Sequence, residues 1–141
     1  MILRVRNDSG FALNYATRGS VGLDLPACIE SPFGVLIPVG GRARFETGVS
    51  IELPIGYGAF IKPRSSMTAS GIVIPDGTVD TDFRGKLRVI LFNLGEQEYV
   101  VKHGDRIAQL VVMPVERVSI VEVEELNMTA RGESGFGSSG R

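Results

Sequence analysis

The last eleven residues, 131–141, carry the groups that a phosphate-binding site needs. The segment is rich in glycine and serine, and it contains one aromatic side chain, Phe136, and two arginines, Arg131 and Arg141. Glycine lets backbone N–H groups approach phosphate oxygens, serine hydroxyls donate hydrogen bonds, and an arginine fork binds two oxygens at once. We therefore expect a flexible arm that closes over a triphosphate held by the body of the protein. The alternative is a disordered end that binds nothing.

A second candidate for anion binding follows an apolar run. Arg64, Ser65 and Ser66 lie where a helical turn over residues 65–70 is expected to begin, with Gly71 ending it. N–H groups at the start of a helix favour phosphate, and the arginine and serine side chains add donors. The alternative interpretation is that Ser65 or Ser66 only caps the turn.

Carboxylates are concentrated in residues 76–85. Asp76-Gly77 is typical of a turn, but turn chemistry explains Asp80 and Asp82 less well. Such side chains could bind a metal or activate a water molecule as a general base. Phe83, next to them, could stack on a sugar or a base, although such rings more often belong to the core.

Polar residues also interrupt the apolar run near residue 107. Gln109 lies among residues that look buried, so its amide needs hydrogen-bond partners. Asp105 and Arg106 precede it, and one interpretation is a structural hydrogen-bond network that joins all three side chains.

Asp24 is placed between Leu23 and Leu25, where a carboxylate is rarely left unpaired. We expect it to hold an arginine, Arg64 or Arg106, and to have a supporting role.

Short apolar runs separated by glycine and proline predict an all-β fold. Alternating or clustered apolar residues predict strands over residues 3–6, 35–37, 42–47, 49–53, 57–62, 87–93, 99–101, 107–113 and 118–124. The 87–93 strand is expected to be central and buried on both faces. These strands predict a single-domain jelly roll or distorted β-barrel over residues 1–125, followed by the flexible C-terminal arm, 126–141. Because so small a barrel offers no deep polar cleft, sites between identical subunits are expected.

Composition excludes several classes of protein. The chain has 141 residues and a net charge of −1, which disfavours stable nucleic-acid binding. A single cysteine, Cys28, allows no internal disulfide, and one histidine with one cysteine cannot build a usual zinc site. No signal peptide and no membrane-spanning run is evident, so an intracellular, non-secreted protein is expected.

The order of these motifs resembles that of a known enzyme family. Gly-Leu-Asp-Leu at 22–25, Pro-Arg-Ser-Ser-Met at 63–67, the aspartate-rich segment at 77–85, Gly-Asp-Arg-Ile-Ala-Gln-Leu at 104–110 and the arm at 131–140 follow one another. This succession closely resembles the trimeric deoxyuridine triphosphate nucleotidohydrolases, the dUTPases, over residues 20–141.

The resemblance implies a homotrimer of jelly-roll subunits with an active site at each subunit interface. It implies hydrolysis of dUTP to dUMP and pyrophosphate by attack of water on the α-phosphorus, which keeps uracil out of DNA and supplies dUMP. It also implies Mg²⁺ held by the triphosphate and by waters, with no direct protein ligand.

The resemblance further implies a role for each motif residue. Asp80 would activate the attacking water, and Phe83 would lie against the deoxyribose and leave no room for a 2′-hydroxyl. Gln109 would reach the phosphates and the water, and Arg131 the γ-phosphate. The remaining substrate-binding residues implied are Arg64, Ser65 and Ser66 for the phosphates, Phe136 for stacking on uracil, Gly137, Ser138 and Ser139 for the γ end, and Gly77, Thr78, Val79, Arg88 and Ile90 around the uracil. Asp24, Asp105 and Arg106 would give structural support.

Two alternatives remain open. A dCTP deaminase shares the fold and an Arg-Ser-Ser motif, but it usually carries a catalytic glutamate after the hairpin, where this chain has Arg84-Gly85-Lys86. A trimeric module that binds a nucleotide or a protein without catalysis is the other. A regulatory protein partner in addition to catalysis is compatible with the sequence.

Overall fold

A computed structural model describes residues 1–134, and in this range the chain forms eleven strands and one short helix. In chain order these are β1 (Arg4–Asn7), β2 (Leu23–Pro26), β3 (Val35–Ile37), β4 (Arg42–Glu46), β5 (Val49–Glu52), β6 (Tyr57–Lys62), α1 (Ser65–Ala69), β7 (Ile72–Val73), β8 (Gly77–Val79), β9 (Arg88–Asn93), β10 (Tyr99–Val101) and β11 (Arg106–Pro114). The prediction of an all-β fold is confirmed.

The strands form four small antiparallel sheets around one apolar core. The largest has the order β2-β11-β6-β8, and a three-stranded sheet has the order β4-β9-β7. Two-stranded sheets pair β1 with β5 and β3 with β10. Inward-facing side chains from most strands, such as Leu25, Phe45, Ile61, Leu91 and Leu110, are buried together. Alternation of apolar and polar residues therefore places one face of most strands in the core.

A β-bulge in β11 determines which polar residues share a face. The register between β2 and β11 shifts between Arg106 and Ala108, and both Ile107 and Ala108 are buried. Because of the extra residue, the outward direction returns three positions after Arg106 instead of two, so that Arg106 and Gln109 point to the same side of the sheet. Gln109 is directly opposite Asp24 of β2. The bulge thus gathers the polar residues of β2 and β11 on one face.

Two strand predictions are wrong. Residues 118–124 form no strand, and the side chains of Val118, Ile120 and Val121 are exposed. Alternation of apolar and polar residues is not sufficient there, because a stable strand also needs a neighbouring strand that pairs with its backbone N–H and C=O groups. The strand at 88–93 is central, between β4 and β7, but only one of its faces is buried: Val89 faces the core whereas Ile90 is exposed.

The predicted helical turn is confirmed as α1, and Gly71 follows it with a φ of 78°. The alternative in which Ser65 or Ser66 caps this helix is wrong, because Arg64 is the N-cap residue and no side chain caps the helix. Throughout residues 1–134, no helix combines the length and the apolar character that crossing a bilayer requires.

Candidate active site

The first candidate cleft lies beside the hairpin that follows β8. It has a volume of about 470 Å³, and it is lined by Ile61, Gly77, Thr78, Val79, Asp80, Phe83, Gly85, Lys86, Leu87 and Arg88. One wall is β8, which pairs with β6 through Ile61 opposite Gly77. Because β8 is the last strand of its sheet, its other edge presents backbone N–H and C=O groups that pair with no other strand of residues 1–134. A planar ligand with donors and acceptors on its rim can bind such an edge.

Asp80 directly follows β8 and is exposed at the rim of this cleft. Asp76, four residues earlier, forms an ion pair with Lys62. In the described part of the chain, no ion pair involves Asp80 or Asp82. Asp80 therefore presents to the cleft a carboxylate that none of these ion pairs engages, which is the arrangement that a general base needs.

The second candidate cleft is small and polar. It has a volume of about 170 Å³ and is lined by Ala16, Ser20, Gly22, Asp24, Arg64, Ser65, Ser66 and Gln109. Ser65 and Ser66 are exposed in the first turn of α1, and their hydroxyls can donate to an anion. This cleft brings together the predicted phosphate-binding residues and Gln109.

Asp24, which lines the polar cleft, forms ion pairs with two arginines, of which only Arg64 also lines this cleft. Its Oδ1 is 3.1 Å from Nε of Arg64, and its Oδ2 is 3.1 Å from Nη1 of Arg106. The predicted pairing of Asp24 with an arginine is confirmed for both candidates. Arg64 also donates from Nη1 to the carbonyl of Arg106, at 3.1 Å. The guanidinium of Arg64 is thus fixed in orientation by a carboxylate and a backbone oxygen.

Gln109 is held by neighbours other than those the sequence suggested. Its Nε2 donates to the carbonyl of Pro63 at 2.8 Å, and a Cβ added at Gly22 would lie 2.2 Å from its Oε1. Asp105 instead accepts from the backbone N–H of Lys102 at 2.8 Å. The predicted network joining Asp105, Arg106 and Gln109 is therefore wrong. Each of the three is bound separately.

The hairpin cleft and the polar cleft share no lining residue. A single chain thus separates Asp80 and Phe83 from Ser65, Ser66 and Gln109. Ile90 lines neither cleft, whereas Arg88 lines the first. Arg131 lines neither cleft either, and its Nε donates to the carbonyl of Ser134 at 2.9 Å. The predicted arm residues Phe136, Gly137, Ser138 and Ser139 lie outside the described residues.

Two glycines of the site were not singled out from the sequence. Gly22 gives space to Gln109, and Gly85 gives space to the ring of Phe83. The only feature of the sequence that could have indicated either glycine is its position within a motif, at 22–25 for Gly22 and at 77–85 for Gly85. Which side chain approaches each glycine depends on the tertiary fold.

The polar cleft has no free carboxylate for a cation, since Asp24 is neutralised by two arginines. Among residues 1–134, no group of three or more histidine, cysteine, aspartate or glutamate side chains is arranged to hold a metal ion. A cation here would therefore depend on ligand oxygens and waters for its coordination.

Comparisons with known proteins decide the family. A family model described as dUTPase matches residues 8–140. The deoxyuridine 5′-triphosphate nucleotidohydrolase of Anaplasma marginale is 47% identical over 143 residues, which cover 99% of this chain and 96% of that protein. The chain belongs to the dUTPase family. The deoxyuridine 5′-triphosphate nucleotidohydrolase of Chlamydia trachomatis serovar L2 is 49% identical to this dUTPase-family chain over 138 residues, with 94% of each chain covered.

The fold of this dUTPase-family chain is also found in solved structures. Staphylococcus bacteriophage 80alpha dUTPase with dUPNHPP superposes with a TM-score of 0.89 over 99% of both chains, at 24% sequence identity. The prediction of a jelly-roll fold is thereby confirmed.

Proposed function

We propose that this chain hydrolyses dUTP to dUMP and pyrophosphate. The observation that carries the proposal is the carboxylate of Asp80, without an ion-pair partner among residues 1–134, at the rim of a cleft lined by strand β8 and the ring of Phe83. An open strand edge suits a pyrimidine, and a ring beside it suits a sugar. The names of the two bacterial relatives, at 47% and 49% identity, support the same substrate.

Uracil would bind along the free edge of β8. Backbone N–H and C=O groups of residues 77–79 match the donors and acceptors on the rim of a uracil ring. Because strand β6 already occupies the opposite edge of β8, the direction of these groups is fixed before the substrate arrives. Such preorganised groups favour a ligand whose pattern matches and leave a mismatched base with unpaired polar groups.

The triphosphate would bind in a polar cleft. Ser65 and Ser66 supply hydroxyl donors, and Arg64 supplies a positive charge whose position is fixed by Asp24. Gln109 can donate or accept toward a phosphate or a water. Mg²⁺ on the triphosphate would neutralise charge that develops on the phosphate oxygens during the reaction.

The reaction itself needs a positioned base more than a covalent nucleophile. Asp80 would orient a water molecule and take its proton as the water attacks the α-phosphorus, and pyrophosphate would leave. Arg131 and the arm, residues 126–141, would close over the γ end and exclude bulk water, as the resemblance to the family implies.

We also propose that the active site is formed between subunits of a homotrimer. In one chain the hairpin cleft and the polar cleft share no residue, so neither alone holds both the base and the phosphate-binding groups. The stretch 118–128 exposes apolar side chains, among them Ile120 at 86%, Leu126 at 86% and Met128 at 100%. Such exposure is costly in a monomer and is typical of a surface that packs on another chain.

The test of the reaction is a substrate panel. Release of pyrophosphate is measured from dUTP, dCTP, dTTP and UTP, with and without Mg²⁺. We expect hydrolysis of dUTP alone, giving dUMP, and faster turnover with Mg²⁺. Deamination of dCTP would place the chain in the related deaminase class instead. Absence of turnover in a folded protein would leave a binding module.

A further inference from the structure

Gly85 lies directly against the ring of Phe83. A Cβ added at Gly85 would be 2.6 Å from Cζ of that ring and 3.0 Å from its Cε2. Distances below 3.0 Å force one of the two groups to move. Both residues line the hairpin cleft, so any movement of the ring changes the shape of the cleft.

The backbone does not require a glycine at position 85. Eight glycines in residues 1–134 have positive φ, and Gly85 is not one of them. An L-amino acid can therefore adopt its backbone conformation without strain. The absence of a side chain at position 85 therefore makes room for the ring of Phe83 and is not required by the backbone of the turn.

Hydrogen bonds hold the backbone of the loop that carries Phe83. Nη1 of Arg84 donates to the carbonyls of Thr81, at 2.7 Å, and of Phe83, at 3.0 Å. The N–H of Phe83 donates to the carbonyl of Asp80 at 3.2 Å. Because these bonds hold the backbone, a methyl group at position 85 would displace the ring. The Phe83 residue is 45% exposed, so its ring has solvent to move into.

We propose that Gly85 is a specificity-determining residue: it sets how deeply the Phe83 ring lies in the cleft and thereby the discrimination between deoxyribose and ribose. The inference rests on the proposed dUTP hydrolysis. With glycine at 85 the ring lies low against the sugar position and excludes a 2′-hydroxyl. With alanine the ring is lifted toward solvent, and the space for that hydroxyl opens.

The experiment compares kcat/KM for dUTP and for UTP in the full chain and in Gly85→Ala. An apolar wall rejects an added hydroxyl by roughly 100-fold, and we expect Gly85→Ala to lower the dUTP/UTP ratio at least about 10-fold. The matched control is Gly19→Ala, since a Cβ at Gly19 has no neighbour within 4 Å and the backbone φ of Gly19 is not positive. That control is expected to keep the wild-type ratio.

A double-variant cycle with Phe83→Ala separates positioning from a general structural effect. If Gly85 acts through the ring, Gly85→Ala changes the ratio by less than about 2-fold when the ring is already absent. If Gly85→Ala alone fails to fold, the double variant should regain folding, because the clash has been removed. An unchanged ratio in Gly85→Ala overturns the inference, and so does an equal loss in both backgrounds or a double variant that stays unfolded. A wild-type chain without dUTP turnover overturns the proposed function instead, and the inference with it.

Discussion

Asp24 and Arg64 form an ion pair in which little of either side chain is exposed, 11% for the aspartate and 24% for the arginine. Arg106 shares the same carboxylate but is 56% exposed. The pair therefore lies in a partly desolvated environment, where removal of one partner leaves the other without compensation. The arginine that this aspartate orients is the one proposed to bind phosphate.

Replacement of Asp24 by Asn is expected to weaken both folding and substrate binding. The loss of the charge that holds two arginines should lower the free energy of unfolding by about 2 kcal/mol, because the partly desolvated charge of Arg64 loses its carboxylate partner and keeps only the carbonyl of Arg106. KM for dUTP should rise about 10-fold as Arg64 loses its fixed orientation. Urea unfolding at fixed protein concentration and steady-state kinetics measure the two effects.

The matched control is Glu52→Gln, which removes one partner of the Arg4–Glu52 pair. The side chain of Arg4 is 77% exposed and that of Glu52 is 46% exposed, so solvent screens their attraction. The loss should be below about 1 kcal/mol, and KM should not change. Equal effects of the two substitutions would show that Asp24 has no special role.

The Cys28 thiol should react slowly with alkylating agents near neutral pH. Burial raises the pKa of Cys28, Lys86 acts to lower that pKa, and Glu46 acts to raise it. Since only the thiolate reacts, a raised pKa moves the increase in rate to higher pH than for a small free thiol. Iodoacetamide labelling followed by mass spectrometry across a pH series measures the profile.

Lys86→Met tests the electrostatic part of this explanation. Without the positive charge the pKa of Cys28 rises further, and labelling at any pH below it should be slower than in the wild type. Lys102→Met is the control, since that lysine is not among the charges that act on the thiol. Faster labelling in Lys86→Met would contradict the sign of this effect.

Asp80→Asn is expected to lower kcat for dUTP by at least about 100-fold, with KM little changed, because an amide cannot take the proton from water. Asp82→Asn is the comparison, since that residue is an exposed carboxylate in the same turn but does not line the hairpin cleft. Its activity should stay within about 3-fold of the wild type. Pyrophosphate release under saturating dUTP gives both values. Similar turnover in the Asp80 variant and the wild type would remove Asp80 from its assigned role.

The elements that follow local periodicity could be predicted from the sequence. Val49 and Ile51 alternate with polar residues and indeed form β5 with a buried face. Asp24 between two leucines predicted an ion pair because an isolated buried carboxylate is unstable, and the structure shows two such pairs. These inferences need only nearest neighbours in the chain.

Features that depend on distant contacts could not be predicted. The bulge near Ile107 leaves no mark in composition, yet it decides that Arg106 and Gln109 share a face. The alternating residues 118–124 look like a strand, but alternation cannot say whether another strand lies beside them. Likewise, no local pattern shows that the Phe83 ring approaches Gly85, because that contact depends on the path of the loop.

Mixing two inactive variants tests whether the site combines residues of neighbouring subunits. Asp80→Asn damages the hairpin cleft and Gln109→Ala damages the polar cleft, which share no residue within one chain. In a trimer assembled from equal amounts of both, a site that takes Asp80 from one subunit and Gln109 from the next is intact in about one case in four. Co-refolded mixtures should therefore recover up to about a quarter of the wild-type turnover, whereas each variant refolded alone should stay inactive.

A control mixture of Asp80→Asn with Asp80→Ala should recover nothing, because every subunit then lacks the base. Mixed trimers confirmed by native mass spectrometry, but without recovered activity, would show that each chain builds its own site.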